Sequence, residues 1–303
     1  MSFILSVVAL FSGFTVNRDT NVTVYKNVPY GIRVKRQVLD LYIPDDVKGD
    51  ANMILYVHGG SWTSGSKDDY TPVLEEMSEK GYVCGALSYR YCGKPNYASV
   101  YDIMDDITAA LKVIKEKAVE NGVNLKGVML DGGSAGAHLS LLYAYSKVDE
   151  APIKPVAVVA RSPVADLTDM TLYDGSLHEI DTEKWCIPKA VWEKNLSCMI
   201  GKRVTDSNFE KRMDRIYDIS PIKYVNENSV PTIIAHGTLD TVLPYSGSVA
   251  FDKKLTEFGV EHQFITYEGA WHGLQDCPEA DIVMARVYNE YLEKYVKGTG
   301  ENK

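Results

Sequence analysis

The 303-residue sequence is short of cysteine: five in all, with no pair at C-x-x-C spacing. An odd count without paired spacing makes a poor disulfide framework and a poor zinc site. Cys84, Cys92, Cys186, Cys198 and Cys277 therefore read as mostly free, partly buried thiols, with a Cys186–Cys198 bridge the one pairing left open. Basic residues are in deficit, 32 Lys and Arg against 41 Asp and Glu for a net charge of −9. Binding to phosphate backbones takes clustered bases, so nucleic acid is excluded as the main partner. Runs of like charge, Pro/Ser tracts and low-complexity segments are missing, which argues against extensive disorder. Nowhere do about 20 apolar residues run together, the length a membrane-spanning helix needs. The N-terminal run over residues 3–11 has the length of a signal-peptide core. No Lys or Arg precedes it, and Gly13-Phe14-Thr15 is only weakly like a small-residue cleavage site. It is expected to be an apolar N-terminal strand of a cytoplasmic protein, with a cleaved secretion signal as the alternative.

What the sequence does have is alternation of apolar runs with longer helical patterns. Residues 52–57, 82–89, 126–131, 156–161, 231–236 and 262–267 are continuous apolar stretches, as expected of strands covered on both faces. Between them, Ile103, Ile107, Ala110, Leu111 and Ile114 fall on one helical stripe. Leu139, Leu142 and Tyr143 mark a second helix, and Val283, Val287, Tyr291 and Tyr295 a C-terminal one. Strands separated by helices give βαβ units and a mainly parallel α/β sheet. Residues 22–43 alternate instead, with Pro29-Tyr30-Gly31 between two segments, which predicts antiparallel strands at one edge. Residues 167–217 break the rhythm. They are polar, with scattered Trp185, Trp192, Met199 and Met213, and read as a small helical insertion, either a lid or a surface elaboration. No repeat or linker divides the chain, so a single domain spans 1–303.

Gly132-Gly133-Ser134-Ala135-Gly136 fits G-x-S-x-G, directly after a strand and directly before a helix, the context of a nucleophile elbow. Phosphate-binding alternatives lack their residues, since neither G-x-x-x-x-G-K-[ST] nor G-x-G-x-x-G is present. A serine nucleophile needs a base, and ligands of parallel sheets lie off the carboxyl ends of the strands. Among six histidines, His262 begins its strand and lies at the wrong edge, His138 sits inside the helix after the elbow, and His178 is in the insertion. His272, in Gly269-Ala270-Trp271-His272-Gly273, follows the last strand at the right edge. The base needs a carboxylate. Asp240 and Asp166 both follow strands and both preserve the order Ser…Asp…His. Asp240 is favoured, because it immediately precedes the strand–helix unit that leads to His272. The HGGG-like loop His58-Gly59-Gly60-Ser61-Trp62 follows the first long strand. With Ala135 after the nucleophile, the amides of Gly60 and Ser61 are the expected oxyanion donors.

Together with Gln37-x-Leu39-Asp40-Leu41-Tyr42-x-Pro44 and Ser88-Tyr89-Arg90, these motifs resemble those of α/β-hydrolase carboxylesterases. They are most similar to the bacterial feruloyl and acetyl-xylan esterase-like (BD-FAE) group. The resemblance covers roughly residues 22–295. It implies an α/β-hydrolase fold and a serine carboxylesterase with Ser134, Asp240 and His272 as its triad and no cofactor or metal. It also implies short acyl or hydroxycinnamoyl esters, small or carbohydrate-linked, as substrates. Hormone-sensitive-lipase-type esterases usually carry a third Gly where this chain has Ser61, and an acidic residue where it has Gly133. Trp62 is assigned to substrate binding; Trp185, Trp192 and some of the 20 tyrosines could also stack on sugar or aryl groups, with core packing as the competing role. An amidase, peptidase or arylformamidase-like activity on the same triad is the enzymatic alternative. A catalytically inactive binding module is the alternative of another class.

Overall fold

The computed structural model describes residues 15–17, 21–32, 35–93, 96–169, 172 and 189–298. The expectations placed on the run at 3–11, His178, Trp185 and Cys186 fall outside these residues. Nine strands are described: β1 (Thr15–Asn17), β2 (Val22–Pro29), β3 (Val38–Pro44), β4 (Gly49–Val57), β5 (Val83–Ser88), β6 (Val123–Gly133), β7 (Lys154–Arg161), β8 (Thr232–Gly237) and β9 (His262–Tyr267). They form one sheet in the order β1-β2-β3-β5-β4-β6-β7-β8-β9. β1, β2 and β3 pair antiparallel at one edge, and β3 joins β5 antiparallel. From β5 to β9 every pairing is parallel. The six expected apolar runs are these six parallel strands, and the alternating segment is the antiparallel edge. The short β1 was not foreseen.

Helices cover both faces. α1 (Thr71–Glu79), α2 (Val100–Glu120), α3 (Ala135–Ser146), α4 (Lys189–Met199), α5 (Met213–Asp218), α6 (Tyr245–Glu257) and α7 (Pro278–Tyr291) follow in chain order. α2, α3, α4 and α6 pack with Leu55, Val57, Leu130 and Val158 into one core. α1 and α7 pack with Ile54, Tyr56, Met129 and Val159 into the other. Successive strand residues therefore feed opposite cores, which explains runs without polar alternation. α2 starts at a capping box, with Ser99 and Asp102 exchanging side chain-to-backbone hydrogen bonds; such a cap contributes about 1 kcal/mol. All five residues of its expected stripe are fully buried. At α7 the buried row is Ala280, Met284, Val287 and Tyr291, while Val283 is 40% exposed. The C-terminal stripe is thus one position off at its start, because Met284 rather than Val283 faces the sheet.

The described part of the 167–217 insertion is helical, as expected. Trp192, Leu196, Met199 and Ile216 are buried in the main core, so this part is anchored rather than free-standing. Cys84, Cys92, Cys198 and Cys277 are free thiols. Burial pushes the Cys84 and Cys92 thiols far above their ordinary range, which leaves them inert as nucleophiles. Among the described residues no helix is long and apolar enough to cross a membrane.

Candidate active site

The six parallel strands end at a common edge, and each expected site residue is just beyond a strand end. β6 runs into Ser134 and α3 begins at Ala135. Ser134 has φ 55° and ψ −122°, a backbone conformation that L-residues rarely adopt and that costs about 1–3 kcal/mol. Its neighbours show why the motif needs glycine. A Cβ on Gly136 would drive into the Val57 carbonyl, and one on Gly132 into the backbone of Gly136. Only bare backbone lets β4, β6 and α3 approach so closely. The Ser134 N–H donates to the Arg161 carbonyl at 2.8 Å, fixing the elbow to the end of β7. Beneath it, fully buried Asp131 is held by the Arg161 guanidinium, whose NH2 lies 3.3 Å from Oδ2. That ion pair ties the end of β6 to the last residue of its neighbour β7.

The glycine loop lies against the elbow. A Cβ on Gly59 would sit 2.8 Å from the Gly133 carbonyl and 3.6 Å from Ser134 Cβ. Gly60, Ser61 and Trp62 all have positive φ, at 97°, 50° and 59°, and the Gly60 carbonyl accepts from Thr63 N, Ser64 N and Ser64 Oγ. Among the described residues the Gly60 and Ser61 amides donate to no protein acceptor, as an anion-binding pair requires. Ala135 is the first residue of α3, where the helix leaves its amides unpaired.

His58 braces this loop from inside. Arg36 donates to its Nε2 at 3.2 Å, so Nδ1 carries the proton and donates to the Gly59 carbonyl at 2.8 Å. Its ring stacks on Tyr89 with centroids 4.0 Å apart, and Tyr89 donates its hydroxyl to the His58 carbonyl. Burial, reinforced by Arg36, lowers the His58 pKa to about 4. His138 is likewise buried and neutral. Trp62 Nε1 donates to its Nδ1 at 3.1 Å, and its Nε2 donates to the Ile219 carbonyl at 2.7 Å. Burial lowers its pKa to about 4 as well. Trp62, assigned to substrate binding from the sequence, is only 3% exposed, with its ring edge-on to His138 and beside Trp192. So placed, the indole props the glycine loop and offers no open stacking face. Trp192 is buried too.

The carboxylate side is built by hydrogen bonds. His272 Nδ1 lies 2.7 Å from Asp240 Oδ2. Asp240 Oδ1 accepts from the Val242 and Leu243 amides at 2.8 and 2.9 Å. Burial opposes the Asp240 charge, but hydrogen bonds from His236 and His272 outweigh it and hold the carboxyl well below the usual range. Ser162 Oγ donates to the His272 carbonyl at 2.8 Å. Since Ser162 follows the residue whose carbonyl binds Ser134 N, the His272 loop and the elbow hang on adjacent residues of one strand end. Among the described residues, Ser134 Oγ and His272 Nε2 share no hydrogen bond. Asp166 is spent on its own turn, accepting from Thr168 N at 2.8 Å. His262 faces Asp252 and the Val260 carbonyl at the opposite edge.

Two contributors carry no motif of their own in the sequence: Ser162, just past the end of β7, which holds the His272 carbonyl, and His236, at the end of β8, which donates to the Asp240 carboxylate.

The sequence matches the BD-FAE family over residues 39–255. The chain belongs to the BD-FAE family. Among curated relatives, a probable carboxylic ester hydrolase of Mycobacterium tuberculosis, LipM, is 26% identical over 252 residues, covering 80% of this chain and 53% of LipM. The chain thus spans about half the length of the curated relatives it matches first. Among solved structures, a truncated carbohydrate esterase from gut microbiota superposes with TM-score 0.70 at 19% identity, covering 91% of this chain and 99% of that one. Esterase 2 of Thermogutta terrifontis, phosphonylated by sarin, superposes with TM-score 0.64 at 23% identity over 96% and 97%. The α/β-hydrolase fold of this BD-FAE member is therefore common to esterases.

Proposed function

We propose that this BD-FAE protein is a serine carboxylesterase acting through an acyl-enzyme. The observation that carries the reading is the convergence at one sheet edge of a strained Ser134, a glycine loop pressed on it, and His272 bound to a buried Asp240. Ser134 Oγ attacks the ester carbonyl carbon while His272 Nε2 takes its proton. Asp240 stays ionised, fixes the tautomer with the proton on Nδ1, and stabilises the imidazolium. The oxyanion develops against the amides of Gly60, Ser61 and Ala135. Collapse breaks the bond to the alcohol oxygen, which leaves with the proton from His272. A water, deprotonated by His272, then attacks the acyl carbon and restores Ser134 as the acid departs. No residue of this scheme calls for a cofactor.

The sarin adduct of the Thermogutta esterase supports a serine-hydrolase chemistry, and the carbohydrate esterase neighbour supports esters carried on sugars. We assign short acyl or hydroxycinnamoyl esters, small or carbohydrate-linked, from the resemblance of the motifs to the feruloyl and acetyl-xylan esterase-like group. The test is a panel of p-nitrophenyl esters of rising chain length, methyl ferulate and acetylated xylan, run with wild type and Ser134→Ala. Wild type turns over the short esters, and the variant, folded by circular dichroism, loses at least about 10⁴-fold in kcat. Retained activity in Ser134→Ala identifies another nucleophile. A higher kcat/KM on the matched anilide or formamide replaces esterase by amidase.

A further inference from the structure

Asp240 Oδ2 is approached by two imidazoles. His272 Nδ1 comes from the loop after β9 at 2.7 Å, and His236 Nε2 from the end of β8 at 3.0 Å. His236 is fully buried, and so is Ser248 of α6, whose Oγ lies 2.6 Å from His236 Nδ1. The tautomer follows from the neighbours. His236 Nε2 faces two acceptors, Asp240 Oδ2 and the Leu243 carbonyl at 3.2 Å, so it carries the hydrogen. Nδ1 then accepts the Ser248 hydroxyl proton. Tyr245 of α6 meets the ring edge-on at 5.9 Å and closes the pocket; its hydroxyl is engaged by Thr266. The groups facing His236 are thus Ser248 and Tyr245 from α6, Asp240 and the Leu243 carbonyl from the turn, and His272 across the shared oxygen.

We infer that His236 is a positioning residue for the His272–Asp240 pair, held in its donor tautomer by Ser248 and acting on the acid limb of the reaction. The inference rests on the triad reading above. Its physics is a competition for one oxygen. A neutral N–H donated to Oδ2 stabilises the anion and takes up part of its charge, so less is available to retain a proton on His272. The same bond pins the carboxylate plane from the β8 side. With three further bonds, from Val242 N, Leu243 N and His272, the carboxylate has no freedom to rotate. Without His236, the whole charge of Oδ2 faces His272 alone, and Asp240 gains a rotation that weakens its hold on the base.

The test compares His236→Phe, which keeps a ring and removes the donor, with His236→Gln, which restores an N–H of similar reach, on p-nitrophenyl acetate. In His236→Phe the acid limb of kcat/KM moves up by about one pH unit, kcat falls at least tenfold, and KM changes by less than threefold. His236→Gln moves the limb back toward wild type and recovers most of kcat. Ser248→Ala, a smaller cut, shifts the limb in the same direction by less and covers the case in which His236→Phe fails to fold. A wild-type limb in folded His236→Phe, or in Ser248→Ala when the former does not fold, overturns the inference. So does Gln behaving like Phe. Failure of the triad reading is separable: it appears as activity in Ser134→Ala or as no fluorophosphonate labelling of Ser134 in wild type, whatever the His236 variants do.

Discussion

Two loops meet at Ser134, the proposed nucleophile, and are held there by opposite means. The loop over residues 58–65 is positioned by what it lacks. Gly59, Gly60 and Gly65 have no side chains where Gly133, Ser64 and His58 atoms would clash with a Cβ. The segments around Asp240 and His272 are positioned by what they share, one buried carboxylate that gathers two imidazoles and two amides. The first side should break when atoms are added. The second should break when a donor or charge is removed. The difference also sorts the histidines: His58 and His138 have both ring nitrogens bonded and serve as packing, while His272 is bonded through Nδ1 and is 26% exposed.

The largest effect is expected on the carboxylate side. Asp240→Asn keeps the shape of the side chain but presents an amide to two N–H donors, which forces one imidazole into the wrong tautomer. Removing this charge in a serine triad costs about 10⁴-fold in kcat. Steady-state kinetics on p-nitrophenyl acetate, with fold checked by circular dichroism, measure it. A loss under tenfold would mean that Asp240 does not act on His272.

How much of this contrast the sequence shows depends on which interactions have a sequence period. The parallel strands are legible because burial on both faces forces unbroken apolar runs, and the elbow because its close approaches admit only Gly132 and Gly136. The pairing of Asp240 with His272 follows from strand ends and chain order alone. His236 is not legible as a partner of Asp240. Its Nε2 reaches the carboxylate through the turn at 237–240, a geometry that no spacing rule encodes. Trp62 is ambiguous in the sequence for a related reason. An aromatic beside a glycine loop fits either a substrate face or a core prop, and its hydrogen bond to His138 supports the prop. Val283 fails at a helix start, where a stripe one residue off still looks amphipathic.

Acid should strike the two sides differently. Burial lowers the pKa of His58 and His138 to about 4, whereas an unfolded imidazole protonates near 6.5. Between those values the unfolded state binds more protons, so stability is complete above about pH 6.5 and declines as pH falls toward 4. At pH 5 the loss is about 2 kcal/mol per histidine. Urea midpoints at pH 7 and pH 5 test it. A flat midpoint would show that these rings are not buried neutral, and activity at the same pH, read on protein still folded, isolates the His272 limb.

The glycine side answers to Gly59→Ala. The added carbon lies 2.8 Å from the Gly133 carbonyl, so either the loop or the elbow must retreat by a few tenths of an ångström. Misplacing the proposed oxyanion donors costs up to about 100-fold in kcat, with KM changed far less, because the ground-state ester depends less on those amides. An equal rise in KM with kcat intact would place the loop in substrate binding instead.

The smallest expected effect separates the two possible roles of Trp62. Its indole N–H is the donor that satisfies His138 Nδ1, and both residues are buried. Trp62→Phe keeps the aromatic contact with Trp192 and removes that donor, leaving a buried acceptor unpaired at a cost of about 1–2 kcal/mol. For a chain of this size each kcal/mol lowers Tm by about 2–4 °C. The expected result is a Tm lower by several degrees with KM for p-nitrophenyl acetate and methyl ferulate unchanged within twofold. A tenfold rise in KM at constant Tm would return Trp62 to the substrate, and it would also mean that the glycine loop opens in solution, because the ring cannot meet an ester from its present position behind it.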